Sequence, residues 1–273
     1  MPFEIGAPWA AEMLARAKTV PIAVEIAPGI TDRVDMQHVS LVKPHLPHTR
    51  RLSLSGSPAS LASAVAHLNA PAPALKYIEL AFLHSRSKFT PTKFFACQMP
   101  RLRALSLVDF SFSWRVKLPT TDITRLSITY GWGYDSSVKY DELLDFVVSI
   151  PPLDALYITR YLSASPKPDG ATCVVSLPHL ARLTLEGCHD RCLNVLQHLA
   201  LPRSRAALDI TLACGWTNTT PSSDLRAVLP RVCTHVSGAV PLHTLRIFET
   251  LRVGGYASWT LEVAAHAEDA DLR

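Results

Sequence analysis

The densest group of chemically capable side chains in this 273-residue sequence is Cys188-His189-Asp190-Arg191-Cys192. Thiolate, imidazole and carboxylate are all zinc ligands by type. A closed tetrahedral site needs a second such pair, and no other Cys/His pair stands at a finger-like distance. Both cysteines also have structural places, given below, so no metal is expected. The motifs that build phosphate cradles, zinc proteases, nucleophile elbows and dinucleotide sites are absent, and Gly131-Trp132-Gly133 lacks the third glycine of the last of these. The 11 histidines are dispersed. No catalytic residue and no cofactor is assigned, and an enzyme is the most distant reading.

Side chains suited to gripping another protein are better organised. Phe110, Phe112 and Trp114 follow the apolar pair Leu105 and Leu107; Tyr130, Trp132 and Tyr134 follow Leu126 and Ile128; Tyr161 follows Leu156 and Ile158. Aromatic side chains carry a large share of binding energy when they cluster. The competing reading has some of them, Phe110 and Tyr130 first, plug a core beneath the loops. Arg50-Arg51, Arg101-x-Arg103, Arg115-x-Lys117 and Arg203-x-Arg205 are short basic pairs. Backbone binding of nucleic acid needs several phosphate contacts on one face, and solvated strand edges explain these pairs more simply.

The elements that must position these groups announce themselves by repetition. Leu180, Leu183 and Leu185 form an L-x-x-L-x-L triplet, and equivalents stand at Leu75, Ile78, Leu80; Leu102, Leu105, Leu107; Ile123, Leu126, Ile128; Leu153, Leu156, Ile158; and Leu242, Leu245, Ile247. Leu52 and Leu54, and Ile210 and Leu212, keep only the closing pair. The middle residues are 26, 27, 21, 30, 27, 27 and 35 positions apart. Most of these steps fall in or near the window of about 20 to 29 residues for a leucine-rich repeat, whose pattern continues with Asn or Cys, a place filled here by Cys188. Pro73, Pro100, Pro152 and Pro178 precede four of the triplets and fix the chain as it enters each strand.

Residues two apart in a strand share a face, so the closing pairs point to a core and their neighbours point away. Between strands, helical stripes appear at Leu61, Val65, Leu68; at Tyr140, Leu143, Leu144, Val147, with Asp141 and Glu142 at its start; at Cys192, Val195, Leu196, Leu199; and at Leu225, Val228, Leu229, Val232. The expected fold is α/β, an irregular leucine-rich-repeat solenoid. It has a curved parallel sheet on the concave side and short helices and loops on the convex side. The aromatic loops then share one rim. The concave face displays Tyr77, Glu79, Ser106, Arg125, Ser127, Tyr157, Arg182, Thr184 and Asp209, with Ala104, Ala155 and Thr211 among them.

Residues 1–273 are read as one domain: 1–49 as N-terminal helix, capping strand and irregular connection, 50–250 as repeats, 251–273 as C-terminal cap or tail. The helix spans 8–18 with Ala10, Met13, Leu14 and Ala17 as its apolar stripe, and the capping strand aligns Val24 with Leu52. The charge of +4 is too mild and too scattered for a polyanionic partner. The six cysteines, with no basic and apolar leader at the N-terminus and no run long enough to span a bilayer, read as reduced thiols in a cytoplasmic or nuclear chain that is not secreted.

The segment Pro8-Trp9-Ala10-Ala11-Glu12-Met13-Leu14-Ala15-Arg16-Ala17, then Pro21-Ile22-Ala23-Val24, Arg50-Arg51-Leu52 and the Pro-x-Leu-x-x-Leu-x-Leu copies, resembles the part downstream of the F-box in the F-box and leucine-rich-repeat-like proteins of mushroom-forming fungi. The resemblance implies a substrate-recognition surface of a cullin-RING ubiquitin ligase, docked through a Skp-type adaptor. Only eight residues precede Trp9, too few for an F-box bundle, so adaptor docking is expected only if that bundle is supplied elsewhere. The alternative is a stand-alone repeat scaffold or decoy.

Overall fold

All but the last of the described triplets become parallel strands, and within each unit the middle residues of neighbouring parallel strands share a register row. The computed structural model describes residues 6–27, 34–82, 99–109, 122–129, 140–150, 152–159, 174–187, 192, 195–196, 198–200, 207–214, 244–252 and 256–266, with the backbone alone at 140–142, 187, 207–214, 244–252 and 256–266. The chain divides into two units, Met1–Ile123 and Thr124–Arg273. It is a mixed α/β protein of mostly parallel strands, with helices between some of them.

In the first unit, β1 (Ile22–Ile26), β2 (Thr49–Gly56), β3 (Tyr77–Phe82) and β4 (Ala104–Val108) lie side by side in chain order, all parallel. Val24, Leu52, Ile78 and Leu105 fall in one register row. Leu52, Leu54, Ile78, Leu80, Leu105 and Leu107 are buried, while the residues between them are half-exposed. Alternation of apolar and polar side chains therefore sets which face of each strand enters the core.

A device that the triplets do not reveal introduces β3 and β4. The Leu75 N–H donates to the Ala72 carbonyl at 3.1 Å and the Leu102 N–H to that of Met99 at 3.2 Å. Pro73 and Pro100 occupy the second position of these turns, where a fixed φ is favourable. The same closure recurs in the second unit, from Leu153 to Ile150 at 3.3 Å and from Leu180 to Leu177 at 3.2 Å. The residues opening the turns, Ala72, Met99, Ile150 and Leu177, are buried. The repeat thus carries a further core position ahead of the triplet, and the prolines serve a turn rather than the strand itself.

Helices precede β1 and connect β1 to β2 and β2 to β3. α1 (Ala7–Ala17) matches the expected segment but buries no residue fully; Met13 is 58% exposed and Trp9 70%, so the packed stripe is carried by Ala10, Leu14 and Ala17 without Met13. The connection expected to be irregular contains α2 (Met36–Val42) and a 3₁₀ helix (Lys43–His48). Val39, Val42 and Leu46, at helical spacing, are buried there, a stripe masked in the sequence by the surrounding Pro and His. Asp35 caps α2: its carboxylate accepts from the Gln37 N–H at 2.8 Å and pairs with His38 Nδ1 at 2.7 Å. The Gln37 bond is the main reason the Asp35 carboxyl is held below its ordinary value. α3 (Pro58–His67) starts at a Ser57 cap and buries Leu61 and Ala64. Just before it, a Cβ on Gly56 would lie 2.7 Å from Val34 Cγ2, so only glycine permits that approach.

In the second unit, β5 (Arg125–Thr129), α4 (Tyr140–Val148), β6 (Ala155–Thr159), β7 (Val175–Ser176), β8 (Arg182–Gly187), β9 (Leu199–Ala200), β10 (Ala207–Cys214), β11 (Thr244–Arg252) and β12 (Tyr256–His266) follow in sequence. β5, β6, β8 and β10 pair in parallel with Leu126, Leu156, Leu183 and Ile210 in one row. Leu143, Leu144, Phe146 and Val147 of α4 are buried, as are Cys192, Val195 and Leu196 of the next helical stripe. Leu199, read as the end of that stripe, belongs instead to β9, which pairs with β7 in a separate small sheet. The fourth expected stripe, Leu225 to Val232, lies outside the described residues.

The last repeat departs from the pattern. β12 takes the place beside β10, antiparallel to it, and β11 pairs with the far edge of β12. Val263, not Leu245, thus follows Ile210 in the row. The long final step of 35 residues and the alternation Trp259, Leu261, Val263, Ala265 favour a hairpin that returns to the sheet over another parallel crossover. Residues 256–266, read as cap or tail, are thereby a strand in the sheet.

Candidate functional site

Because one side of each strand is committed to the core, the other carries whatever the strands present to partners. In the first unit, register places Ala23, Arg51, Tyr77 and Ala104 in one outward row and Glu25, Ser53, Glu79 and Ser106 in the next. Three of these side chains form a closed group. The Tyr77 hydroxyl donates to Glu79 Oε2 at 2.6 Å, the Arg51 guanidinium stacks 4.3 Å from the Tyr77 ring centroid, and Arg51 Nη2 stands 3.5 Å from the same Glu79 oxygen. A cation over a ring face and a charge-assisted hydrogen bond support one another here.

Burial is the chief reason the Tyr77 hydroxyl is raised above its ordinary value of 10.0, followed by its hydrogen bond to Glu79 and the charge there. A hydrogen bond with Ser106 and the charge of Arg51 pull the other way. The phenol therefore keeps its proton and acts as a donor that fixes Glu79. Arg51 was legible in the sequence only as half of a basic pair. The 26-residue step that sets Leu52 beside Ile78 also sets Arg51 beside Tyr77, and that offset was the available signal.

In the second unit the outward rows are Arg125, Ala155, Arg182 and Ser127, Tyr157, Thr184, with Asp209 and Thr211 next in register by their backbone. Arg125 and Arg182 are exposed, and neither has a carboxylate partner among the described residues. Ser127, Tyr157 and Thr184 are half-exposed. Ala155, expected to face outward, is fully buried.

Eight of the nine residues expected on the outward face thus have described side chains, none of them buried. Tyr77, Glu79 and Ser106 stand together in the first unit; Arg125, Ser127, Tyr157, Arg182 and Thr184 stand together in the second. The rim aromatics Phe110, Phe112, Trp114, Tyr130, Trp132, Tyr134 and Tyr161 lie outside the described residues, as do Cys188 to Arg191. Among the described residues no three His, Cys, Asp or Glu side chains gather as a metal site, and no helix is long and apolar enough to cross a membrane. Comparison with protein-family models, curated proteins and solved structures gives no match to this chain.

Proposed function

We propose that this chain is a protein–protein interaction module, a leucine-rich-repeat solenoid that binds a partner through the outward side of its parallel strands. The observation that carries the reading is the in-register stack. Strands with buried apolar pairs on one side hold Arg, Tyr, Glu, Ser and Thr in straight rows on the other. Tyr and Arg on a rigid frame are the side chains best suited to a binding surface. In this reading the module binds its partner without converting it. Its role, on the family resemblance, is substrate recognition in an F-box-type ubiquitin ligase receptor; the alternative is a scaffold or decoy without ligase recruitment.

The test is affinity capture from cells of the source organism with the intact chain, a Tyr77→Ala/Tyr157→Ala variant and a Trp114→Ala/Trp132→Ala variant, followed by mass spectrometry. A partner lost by the tyrosine variant while its melting curve is retained supports the sheet face. Loss through the tryptophan variant alone moves the site to the rim. Retention of every partner by both folded variants overturns the reading. Recovery of a Skp-type adaptor and cullin separates the ligase role from the scaffold.

A further inference from the structure

We infer that the outward face of the second unit recognises an acidic protein segment, with Arg125 and Arg182 as its anion-binding pair. The inference rests on the reading of the sheet face as a binding surface and names the chemistry of what binds in this unit. Arg125 and Arg182 stand in the same register row with one strand between them, and the residue between them is the small Ala155. Strands lie about 4.8 Å apart, so the two Cα atoms are roughly 10 Å apart, a span that two arginine side chains can close around one anionic group. The adjacent row supplies three hydroxyls, on Ser127, Tyr157 and Thr184, which can donate to the remaining oxygens.

Charge supports the same conclusion. Arg51 and Arg103 in the first unit each meet a carboxylate, Glu79 at 3.5 Å and Asp122 at 2.9 Å. Arg125 and Arg182 meet none among the described residues. Of the nearby carboxylates with described side chains, Glu186 is four residues beyond Arg182 on the same strand, roughly 13 Å along it, and Asp154, just before Ala155, forms no ion pair with either arginine. Asp209 follows Arg182 in register by its backbone. Two guanidiniums with no carboxylate partner among the described side chains, set beside hydroxyl donors, suit the oxygens of clustered Asp and Glu or of a phosphorylated Ser or Thr.

The experiment uses the full chain and three fluorescein-labelled twelve-residue peptides of Gly and Ser: one with four Glu, one with a single phosphoserine, one with four Lys. Fluorescence anisotropy is read at 50 and 200 mM salt. Binding of either anionic peptide, weakened about tenfold or more by Arg125→Gln/Arg182→Gln and unchanged by Arg101→Gln, is the expected result. The Glu and phosphoserine arms distinguish the two sources of anionic oxygen. Absence of anionic binding, or equal binding by the folded double variant, overturns the inference. So does binding confined to a single-stranded oligonucleotide run in parallel. If captured proteins still depend on Tyr77 and Tyr157 while neither acidic peptide binds, the interaction-module reading survives and the anion pair does not.

Discussion

The outward faces of the two units use similar side chains to opposite ends. In the first, Arg51, Tyr77 and Glu79 satisfy one another, so the surface is ordered and nearly neutral before anything approaches. In the second, Arg125 and Arg182 share a row and pair with no carboxylate among the described side chains. The difference comes from register. A glutamate two residues beyond Tyr77 lies within reach of both Tyr77 and Arg51, whereas the corresponding place beyond Ala155 holds Tyr157. In the first unit these polar groups bond to one another; in the second the two guanidiniums meet no carboxylate among the described side chains.

The comparison breaks most visibly if the strands that hold each face are disturbed. Leu105→Asp buries a carboxylate in the first unit and is expected to cost about 4 kcal/mol or more, read by chemical denaturation. Hydrogen exchange should show β1 to β4 losing protection together, because each strand is covered only by its neighbours; a loss confined to β4 would contradict this. Leu183→Asp should act in the same way on β5, β6, β8 and β10.

Gly56→Ala forces a methyl against Val34 Cγ2 at 2.7 Å and is expected to cost about 1 to 3 kcal/mol. This lies on the first unit's inner side, and it should lower the melting temperature without altering peptide binding by the second.

Tyr77→Phe removes the hydroxyl that Glu79 accepts and should cost about 1 kcal/mol. It also carries a pH signature. The folded state holds this proton more tightly than the unfolded chain, so the stability it contributes is complete below pH 10.0 and declines as pH rises from there through the raised folded value. The wild-type chain should therefore lose stability above pH 10.0 more steeply than the Phe variant.

The smallest effects sharpen the contrast best. A double-mutant cycle on Arg51 and Glu79 should return a coupling under about 1 kcal/mol, since both groups touch solvent. Arg125→Gln and Arg182→Gln should each leave stability within about 0.5 kcal/mol of wild type, because neither guanidinium has a partner to lose among the described residues. A clear destabilisation by either would show that the pair is structural.

Much of this arrangement was determined by the sequence itself. A period of two in apolar residues is tied directly to which side of a strand they occupy, so the triplets named the core and, by exclusion, the outward residues. Their spacing gave the register, because parallel strands joined by crossovers of similar length come to lie side by side at equivalent positions. Tertiary structure decided what spacing does not encode. The turn that buries Ala72, Met99, Ile150 and Leu177 involves residues of different size with no common type. The helix at Met36–Val42 has only a short stripe, and tertiary cover makes Val39 and Val42 part of the core. The closing hairpin depends on whether β11 or β12 reaches β10, a competition between distant segments. Which charges pair also depends on side-chain reach across strands, so Arg51 could be told from Arg125 only once the neighbours of each were in place.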